Sequence, residues 1–394
     1  MERPGFERVT PKLEESITML IYLCFIIPII AVIFLAVKFQ KKMAWFEYLI
    51  VFIIPALAII VAKYASVASQ TMTPEIWNTY LVEATYYEYW NEWIVKECCS
   101  TCRDSHGNSH ECNCHDCSYV QPHPAYWEAK DNMGHTISIG EDRYIYLCNL
   151  WKNKTFKDMH RHYHTRDGDA YYTTKDTAFE HIIPYTSTHS YENRVKCSRS
   201  VFNFAEVDSG DIADNKLFKY PANVNFNYQP ILGYNDPKAS LRLQQYNALL
   251  GSWKQVHMLI LVFKDLPVGA AILQEGYWKG GNKNEFILCI GIKDTSITWA
   301  KVISWTEVDE LKIRVEKEVQ GMPLNMSSIV DYMAGQVKLQ FQRKHFRDFS
   351  YIEVEPTMTA IWITLVVTLL FTVGLCIFVV KNDIDQNFKT RRRF

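Results

Sequence analysis

Residues 17–37 read ITMLIYLCFIIPIIAVIFLAV, a run of 21 residues without a charged side chain. As an α-helix this run is about 31 Å long, since each residue adds about 1.5 Å, and the hydrocarbon core of a bilayer is about 30 Å thick. The preceding residues 1–16 mix acids and bases and lack the positive n-region of a secretory signal peptide. We therefore expect an uncleaved membrane-spanning helix at residues 17–37.

Two further apolar runs have the character of membrane spans. The charge-free run from Tyr48 to Ala62 crosses the bilayer if Glu47 and Lys63 lie at its two interfaces, which predicts a span at residues 46–66. The run from Thr357 to Val380 predicts a third span at residues 356–380. Buried helices of a soluble protein explain three such runs at the chain ends less well.

The charged residues that flank the spans predict their orientation. The loop between the first two spans carries Lys38, Lys41 and Lys42 and no acid, and residues 381–394 form a basic tail. The positive-inside rule places this loop and this tail in the cytoplasm. We therefore expect an integral protein of the plasma or inner membrane, with the N-terminus and residues 64–355 outside and the C-terminus in the cytoplasm.

The overall composition excludes one class of partner. The 394 residues include 42 Lys and Arg against 43 Asp and Glu, a net charge of -1, so a generally basic nucleic-acid binder is excluded. The predicted domains are a flank with two spans (1–69), a Cys/His- and aromatic-rich region containing β-strands (70–230), an α/β region (231–355), the third span (356–380) and the tail (381–394). The predicted fold is thus an α+β or α/β extracytoplasmic domain on three transmembrane helices, an N-terminal helical hairpin plus a C-terminal span.

The first part of the large domain gives a mixed secondary-structure signal. Thr73, Pro74 and Glu75 form a helix-start pattern, with Thr at the N-cap and Pro at the first helical position. The aromatic-rich stretch from Trp77 to Val95 then fits a helix, or a helix that passes into a strand near Thr85.

The second part gives a clearer order of elements. Val256 to Phe263 is an apolar run of strand length, and Val268 to Trp278 predicts a helix that ends at a Gly-Gly pair. Phe286 to Ile292 and Ile297 to Trp305 predict two more strands. This β-α-β-β order predicts a small layer in which helices cover a sheet.

In this order of elements, residues 240–320 resemble the TPM domain, an extracytoplasmic α/β module tethered to membranes. The residues that carry the resemblance are the strand VHMLILVF (256–263), the helix reaching Trp278, and GGNKNE (280–285) before the next strand. The chain as a whole resembles membrane proteins of bacteria and large phages. The acidic metal-binding pattern of phosphatase members is absent from the sequence; Asp265, Glu275 and Asp294 are available, but no spacing singles them out.

A cysteine-rich segment is the strongest local motif. Cys99 and Cys102 form one CxxC pair and Cys114 and Cys117 form another, 11 residues further on, a spacing that suits a tetrahedral zinc site. His106, His110 and His115 are alternative ligands nearby. Outside the cytoplasm, however, thiols oxidise, so structural disulfides among the six cysteines are the competing hypothesis. Either arrangement would staple a hairpin.

A second cluster consists of His160, His162 and His164. On a strand these alternate residues share one face, which suits a transition metal, and Asp158, Asp167 and Asp169 are available to orient the imidazoles. Arg161, Arg166 and Gly168 favour an exposed polar loop instead. The histidines are therefore weaker metal candidates than the cysteines.

Two functions remain open at this stage. The first is a non-catalytic membrane protein that presents a large interaction or assembly domain, with the lipid bilayer and a protein partner or a second copy as its partners and zinc as its sole candidate cofactor. The second is a membrane-tethered, phosphatase-like metal-dependent hydrolase built around the histidine cluster. The sequence favours the first, because no pattern pairs a general acid with a general base around these histidines.

Overall fold

The computed structural model describes residues 20–39, 43–104, 107–161, 164–197, 204–222 and 225–382, with the backbone alone for 164–166. Its α-helices are α1 (Ile26–Phe39), α2 (Trp45–Thr71), α3 (Glu141–Trp151), α4 (Ser209–Asp214), α5 (Pro237–Lys254), α6 (Gly269–Tyr277), α7 (Asp309–Gln320), α8 (Met326–Gln340) and α9 (Met358–Asn382). Its strands are β1 (Met72–Tyr87), β2 (Trp90–Ile94), β3 (Glu97–Arg103), β4 (Ser109–Asp116), β5 (Tyr119–His123), β6 (Tyr126–Asp131), β7 (Thr136–Ser138), β8 (Thr155–Lys157), β9 (His164–Arg166), β10 (Ala170–Thr174), β11 (Pro184–Glu192), β12 (Ile231–Leu232), β13 (His257–Lys264), β14 (Glu285–Lys293) and β15 (Ser296–Ser304).

The first of two compact units comprises residues 1–74, 190–203 and 346–394 and holds the apolar helices. Helical segments Leu20–Phe39, Trp45–Thr71 and Met358–Lys381 are long and apolar enough to cross a membrane. They overlap the three predicted spans, so the protein is membrane-associated. The second helix continues to Thr71, past the predicted limit of residue 66, because the residues after Lys63 include no helix breaker.

The three apolar helices pack against one another as well as facing outward. Their contacts bury two apolar clusters, one around Ile21, Ile59 and Ile361 and one around Leu35, Val51 and Val379. A row of threonines on α9 is also buried: Thr364, Thr368 and Thr372. Small polar side chains at this spacing let helices approach closely in an apolar solvent.

The second unit comprises residues 75–189 and 204–345, and its first sheet is built on β1. The strand order is β7-β6-β1-β10-β8, and β11 also pairs with β1. Leu81 and Ala84 of β1 pack with Leu147 and Trp151 of α3 in one buried cluster. This region therefore contains β-strands, as the sequence predicts.

The helix predicted from Thr73 is wrong, because Met72–Tyr87 is one long strand. Side chains on both faces of β1 are buried, which removes the alternation that would have marked the strand in the sequence. The carboxyl-terminal half of β1 pairs with β6 from Leu81 and with β10 from Glu83, and β11 also pairs with β1, so backbone pairing along the strand overrides the helix-start pattern at Thr73 and Pro74.

The second sheet has the order β12-β13-β14-β15 and confirms the predicted β-α-β-β sequence of elements. Its first three strands are parallel, and β15 is antiparallel to β14. Side chains of β13 alternate between two cores: Met258 and Ile260 face α5, α7 and α8, while Leu259 and Leu261 face α6. The sheet is therefore covered by helices on both faces.

The outer edge of this sheet is closed by side chains of α7. The backbone N–H of Val302 on β15 donates to Glu316 Oε1 at 2.7 Å. Gln320 Nε2 donates to the carbonyl of Thr298 at 3.2 Å. Both contacts occupy backbone groups that an edge strand otherwise presents to another strand.

A long antiparallel ribbon extends from the end of β1. We define the ribbon as residues Trp90–Arg103 paired with residues Ser109–His123, that is, β2 with β5 and β3 with β4. The two pairs are joined by the N–H of Cys117, which donates to the carbonyl of Lys96 at 2.9 Å. None of the residues of β3 and β4 is buried, so this distal part has no apolar core of its own.

Candidate functional sites

The cysteines of the ribbon form three disulfides. Cys98 is bonded to Cys117, Cys99 to Cys114, and Cys102 to Cys112. They bridge β3 to β4 or to the residue that follows it, one above another along the distal part of the ribbon. Because an isolated two-stranded hairpin is at best marginally stable in water, these covalent links replace the missing core.

The predicted zinc ligands are therefore divided among the disulfides. Cys99 and Cys114 are bonded to each other, whereas Cys102 is bonded to Cys112 and Cys117 is bonded to Cys98. The structure thus has the disulfide arrangement. A carboxylate oxygen of Glu97 lies within 4.8 Å of the sulfurs of Cys99 and Cys114. A zinc site here would need the reduced chain, because the thiolate and not the disulfide sulfur is the zinc ligand.

Of the three predicted histidines, the structure describes the side chain of one. The imidazole of His160 is 83% exposed, and its Nε2 lies 3.0 Å from Asp158 Oδ2. His162 lies outside the described residues, and His164 begins β9 with its side chain outside the described part. Convergence of the three imidazoles therefore stays a prediction.

The three aspartates expected to orient those histidines lie together. Asp158, Asp167 and Asp169 each place an oxygen within 4.8 Å of the others. Backbone N–H groups donate to two of them: His160 to Asp158 at 3.0 Å, and Met159 to Asp169 at 3.4 Å. Groups of surface carboxylates are common without a metal, so this geometry alone identifies no site.

The loop that carries these aspartates is fixed to the base of the ribbon. The guanidinium of Arg161 lies over the ring of Trp90, 4.4 Å from its centroid, and donates to the carbonyls of Asp167 and Gly168. Gly168 has a φ of +59°, and a Cβ there would lie 2.4 Å from the Cβ of Trp90. Arg161 and Gly168 thus hold the loop against the ribbon.

A buried polar cluster, absent from the sequence-based predictions, lies where β1 meets the second sheet. His257, fully buried at the start of β13, has Tyr228 Oη 2.8 Å from its Nε2 and Asn78 Nδ2 2.9 Å from its Nδ1. Burial lowers the pKa of His257 from 6.5 to about 3. The imidazole is therefore neutral, and its two nitrogens join β1 to the segment before β12.

A buried carboxylate forms the second half of this cluster. Glu285, at the start of β14, accepts hydrogen bonds from Tyr220 Oη, from the N–H of Asn282 at 2.7 Å and from Asn282 Nδ2 at 2.9 Å. Burial, and then the charge of Glu285, raise the pKa of Tyr220 well above 10. Tyr220 therefore remains a neutral donor. The positive φ of Gly281, +76°, lets the backbone approach the carboxylate, since a Cβ would lie 2.7 Å from Glu285 Oε2.

A second buried carboxylate, Glu75, lies at the start of β1 within the large domain. Its side chain is completely buried, with Trp77 Nε1 donating to Oε1 at 2.8 Å and Lys283 Nζ at 3.5 Å. Burial lowers the pKa of Lys283, and the charge of Glu75 opposes that change. His189 stacks on Trp77 at 4.2 Å between ring centroids, with its Nδ1 3.9 Å from Glu75.

The position of the cluster indicates a structural role. His257 and Glu285 stand at the amino-terminal ends of the parallel strands, whereas open α/β sheets bind ligands outside the carboxyl ends. At those carboxyl ends, Asp265 and Asp294 are exposed. Glu275 lies away from that edge, near the end of α6, and pairs with Lys301 at 3.5 Å. The described residues at that edge therefore include no buried pair of acids.

Comparison with known proteins adds no family to these observations. No family model, no curated protein and no solved structure matches the chain. The resemblance of residues 240–320 to the TPM domain accordingly stays a prediction, and function has to be argued from the geometry.

The disulfide pairing can be tested by peptide mapping. Non-reducing digestion of the purified protein should yield peptides joining Cys98 to Cys117, Cys99 to Cys114 and Cys102 to Cys112, with no zinc bound. Replacing both Cys99 and Cys114 with serine should make the ribbon several-fold more sensitive to protease, since removing a native disulfide typically costs about 2–5 kcal/mol. Replacing the free Cys148 is the matched control. One zinc per chain and no linked peptides would contradict this pairing.

The buried histidine predicts a pH dependence of stability. In the unfolded chain His257 is protonated below about pH 6.5, whereas in the folded chain it stays neutral down to about pH 3. The free energy of unfolding should therefore be constant above pH 6.5 with respect to this group and fall by up to about 1.4 kcal/mol per pH unit below it. Denaturant unfolding of the His257→Gln variant should show a lower stability and a flatter slope over this range. His110→Gln, at an exposed position, should keep the wild-type slope; an unchanged slope in His257→Gln would refute the assignment.

Proposed function

We propose that this chain is an integral membrane protein that displays its large domain outside the cytoplasm as a non-catalytic surface for interaction or assembly. The ribbon is the observation that carries the proposal. It is an element without a core that three disulfides hold in one conformation.

Two independent features support the external location. The basic loop at Lys38–Lys42 and the basic tail favour a cytoplasmic position for the short segments, which puts the large domain on the other side. The ribbon's disulfides favour an oxidising compartment for the same domain. The two arguments rest on different residues and different chemistry, and they agree.

The ribbon has the surface chemistry of a binding element. In its proximal part Trp93 and Val120 are direct cross-strand partners and are 40% and 43% exposed, and Val95 is 70% exposed. Aromatic side chains offer a large contact area at a low entropic cost and are enriched in interfaces. A rigid ribbon also loses little conformational freedom on binding, which favours affinity. We therefore infer that a protein partner or a second copy of the chain contacts this part of the ribbon.

The hydrolase alternative has one observation in its favour, the grouping of Asp158, Asp167 and Asp169. A metal hydrolase would also need imidazole or further ligands on the same ion, an open coordination position and a poised water. The one described imidazole of the set, that of His160, is exposed to solvent. Binding is therefore the better-supported function.

Labelling of intact cells with an impermeant thiol reagent tests the location. The five free cysteines, Cys24, Cys148, Cys197, Cys289 and Cys376, are replaced while the six ribbon cysteines stay oxidised. A cysteine at Lys238 should then react and one at Gln40 should react only after lysis. The reverse pattern would invert the orientation and with it the proposal.

Photo-crosslinking tests the binding role of the ribbon. With p-benzoylphenylalanine at Trp93 or Val120, irradiated native membranes should yield a discrete adduct, whose mass separates a partner from a second copy. Ile313 on α7 is 64% exposed and serves as the matched control position, where we expect no adduct. Replacing Cys99 and Cys114 with serine should weaken the adduct severalfold. Equal yields at the ribbon and at Ile313, or none at either, would overturn the proposed role.

A further inference from the structure

Two helices of the large domain end at a common corner. Lys254, the last residue of α5, donates from Nζ to the carbonyl of Phe341, which follows the end of α8, at 3.3 Å. The preceding residue on α5, Trp253, is 64% exposed, and Leu339 on α8 is 72% exposed. Both large apolar side chains thus lie at the surface beside the same hydrogen bond. We define the corner patch as Trp253, Lys254, Lys338, Leu339 and Lys344.

The charges around these apolar side chains are predominantly basic. Lys254 and Lys338 lie in the last turns of their helices, and Lys254 Nζ is 5.2 Å from the centroid of the Trp253 ring. Asp309, the first residue of α7, pairs with Lys312 at 2.6 Å and also interacts electrostatically with Lys344, and the N–H of Glu307 donates to the carbonyl of Gln342. Lysines at helix C-termini also suit the helix dipole, but the dipole does not require an exposed Trp and Leu next to them.

We propose that the corner patch binds an anionic lipid surface. Trp253 and Leu339 enter the headgroup region, and the lysine ammonium groups pair with lipid phosphates. Exposed Trp beside Lys is the combination enriched at membrane–water interfaces, and long lysine side chains reach from an apolar surface to charged groups. The proposal does not depend on the ribbon or on its partner.

The chain itself favours this occupant over a soluble one. Lys344 is followed by the apolar helix that begins at Met358, a connection of about 14 residues that spans at most about 50 Å. A weak affinity for lipid is therefore sufficient, because the tether keeps the local concentration of membrane high. A soluble partner would gain no such advantage.

Quenching of tryptophan fluorescence by brominated lipid tests the proposal on the full-length chain. The chain is reconstituted in vesicles of phosphatidylcholine alone or of phosphatidylcholine with phosphatidylglycerol, each with and without bromine near the headgroup end of the acyl chains. Trp253→Phe should remove a quenched emitter in the anionic vesicles. Trp93→Phe, which removes an exposed Trp of the ribbon, is the matched control and should leave the quenched emission unchanged.

Two further measurements keep the test decisive if a variant folds poorly. In the wild-type chain, added salt should reduce the quenching in anionic vesicles and not in phosphatidylcholine vesicles. Lys338→Glu should reduce it at low salt, while Lys130→Glu, on β6 of the first sheet, should not. Equal quenching in Trp253→Phe and wild type, or equal quenching in the two lipid compositions, would overturn the proposal. If Trp253 became less accessible to a soluble quencher as the protein concentration rose in detergent without lipid, the corner patch would bind a second copy. That result would also overturn the proposal.

Discussion

The hydrogen bond between Asn78 and a neutral His257 joins the two halves of the large domain. Strand β1 contributes Ile76 to the core around the second sheet and Leu81 to the core under the first sheet, and Asn78 lies between them. A polar group buried at such a junction is costly unless it is paired, and a charged imidazole there would be costlier still. Protonation of His257 therefore weakens the junction between the two cores.

The ribbon follows the opposite principle, since almost nothing in its distal part is withdrawn from water. Its strands stay paired because three disulfides limit the freedom of the unfolded segment, and because Arg161 and Gly168 hold a neighbouring loop against Trp90 at its base. A buried core at this place would have hidden the side chains now available for contact. Covalent linkage thus permits both rigidity and exposure in one element.

Local signals in the sequence were sufficient for the elements that form from contiguous residues. The three apolar helices and the β-α-β-β order around Val256–Trp305 could be predicted because length and apolar content decide them. Strand β1 could not, because burial on both faces removes alternation and Thr73-Pro74 imitates a helix start. The pairing of six cysteines has many solutions until the register of β3 and β4 is known.

The buried polar cluster was beyond the sequence for a different reason. Asn78, Tyr228 and His257 are distant in the chain, and each alone is an unremarkable polar residue in an apolar or aromatic context. Only the topology of the second sheet brings them together. The aspartates at positions 158, 167 and 169 are similar, since a loop fixed by Arg161 gathers side chains whose spacing fits no metal motif.

The closed edge of the second sheet limits how copies of this protein can associate. The side chains of Glu316 and Gln320 hydrogen-bond to a backbone N–H and a backbone carbonyl of β15. These two groups are therefore not available to pair with a strand of a neighbouring molecule. Crowding in the plane of a bilayer raises the frequency of encounters between such domains. The two side chains therefore disfavour the addition of another strand at this edge, and a second copy of the domain would have to bind through other surfaces.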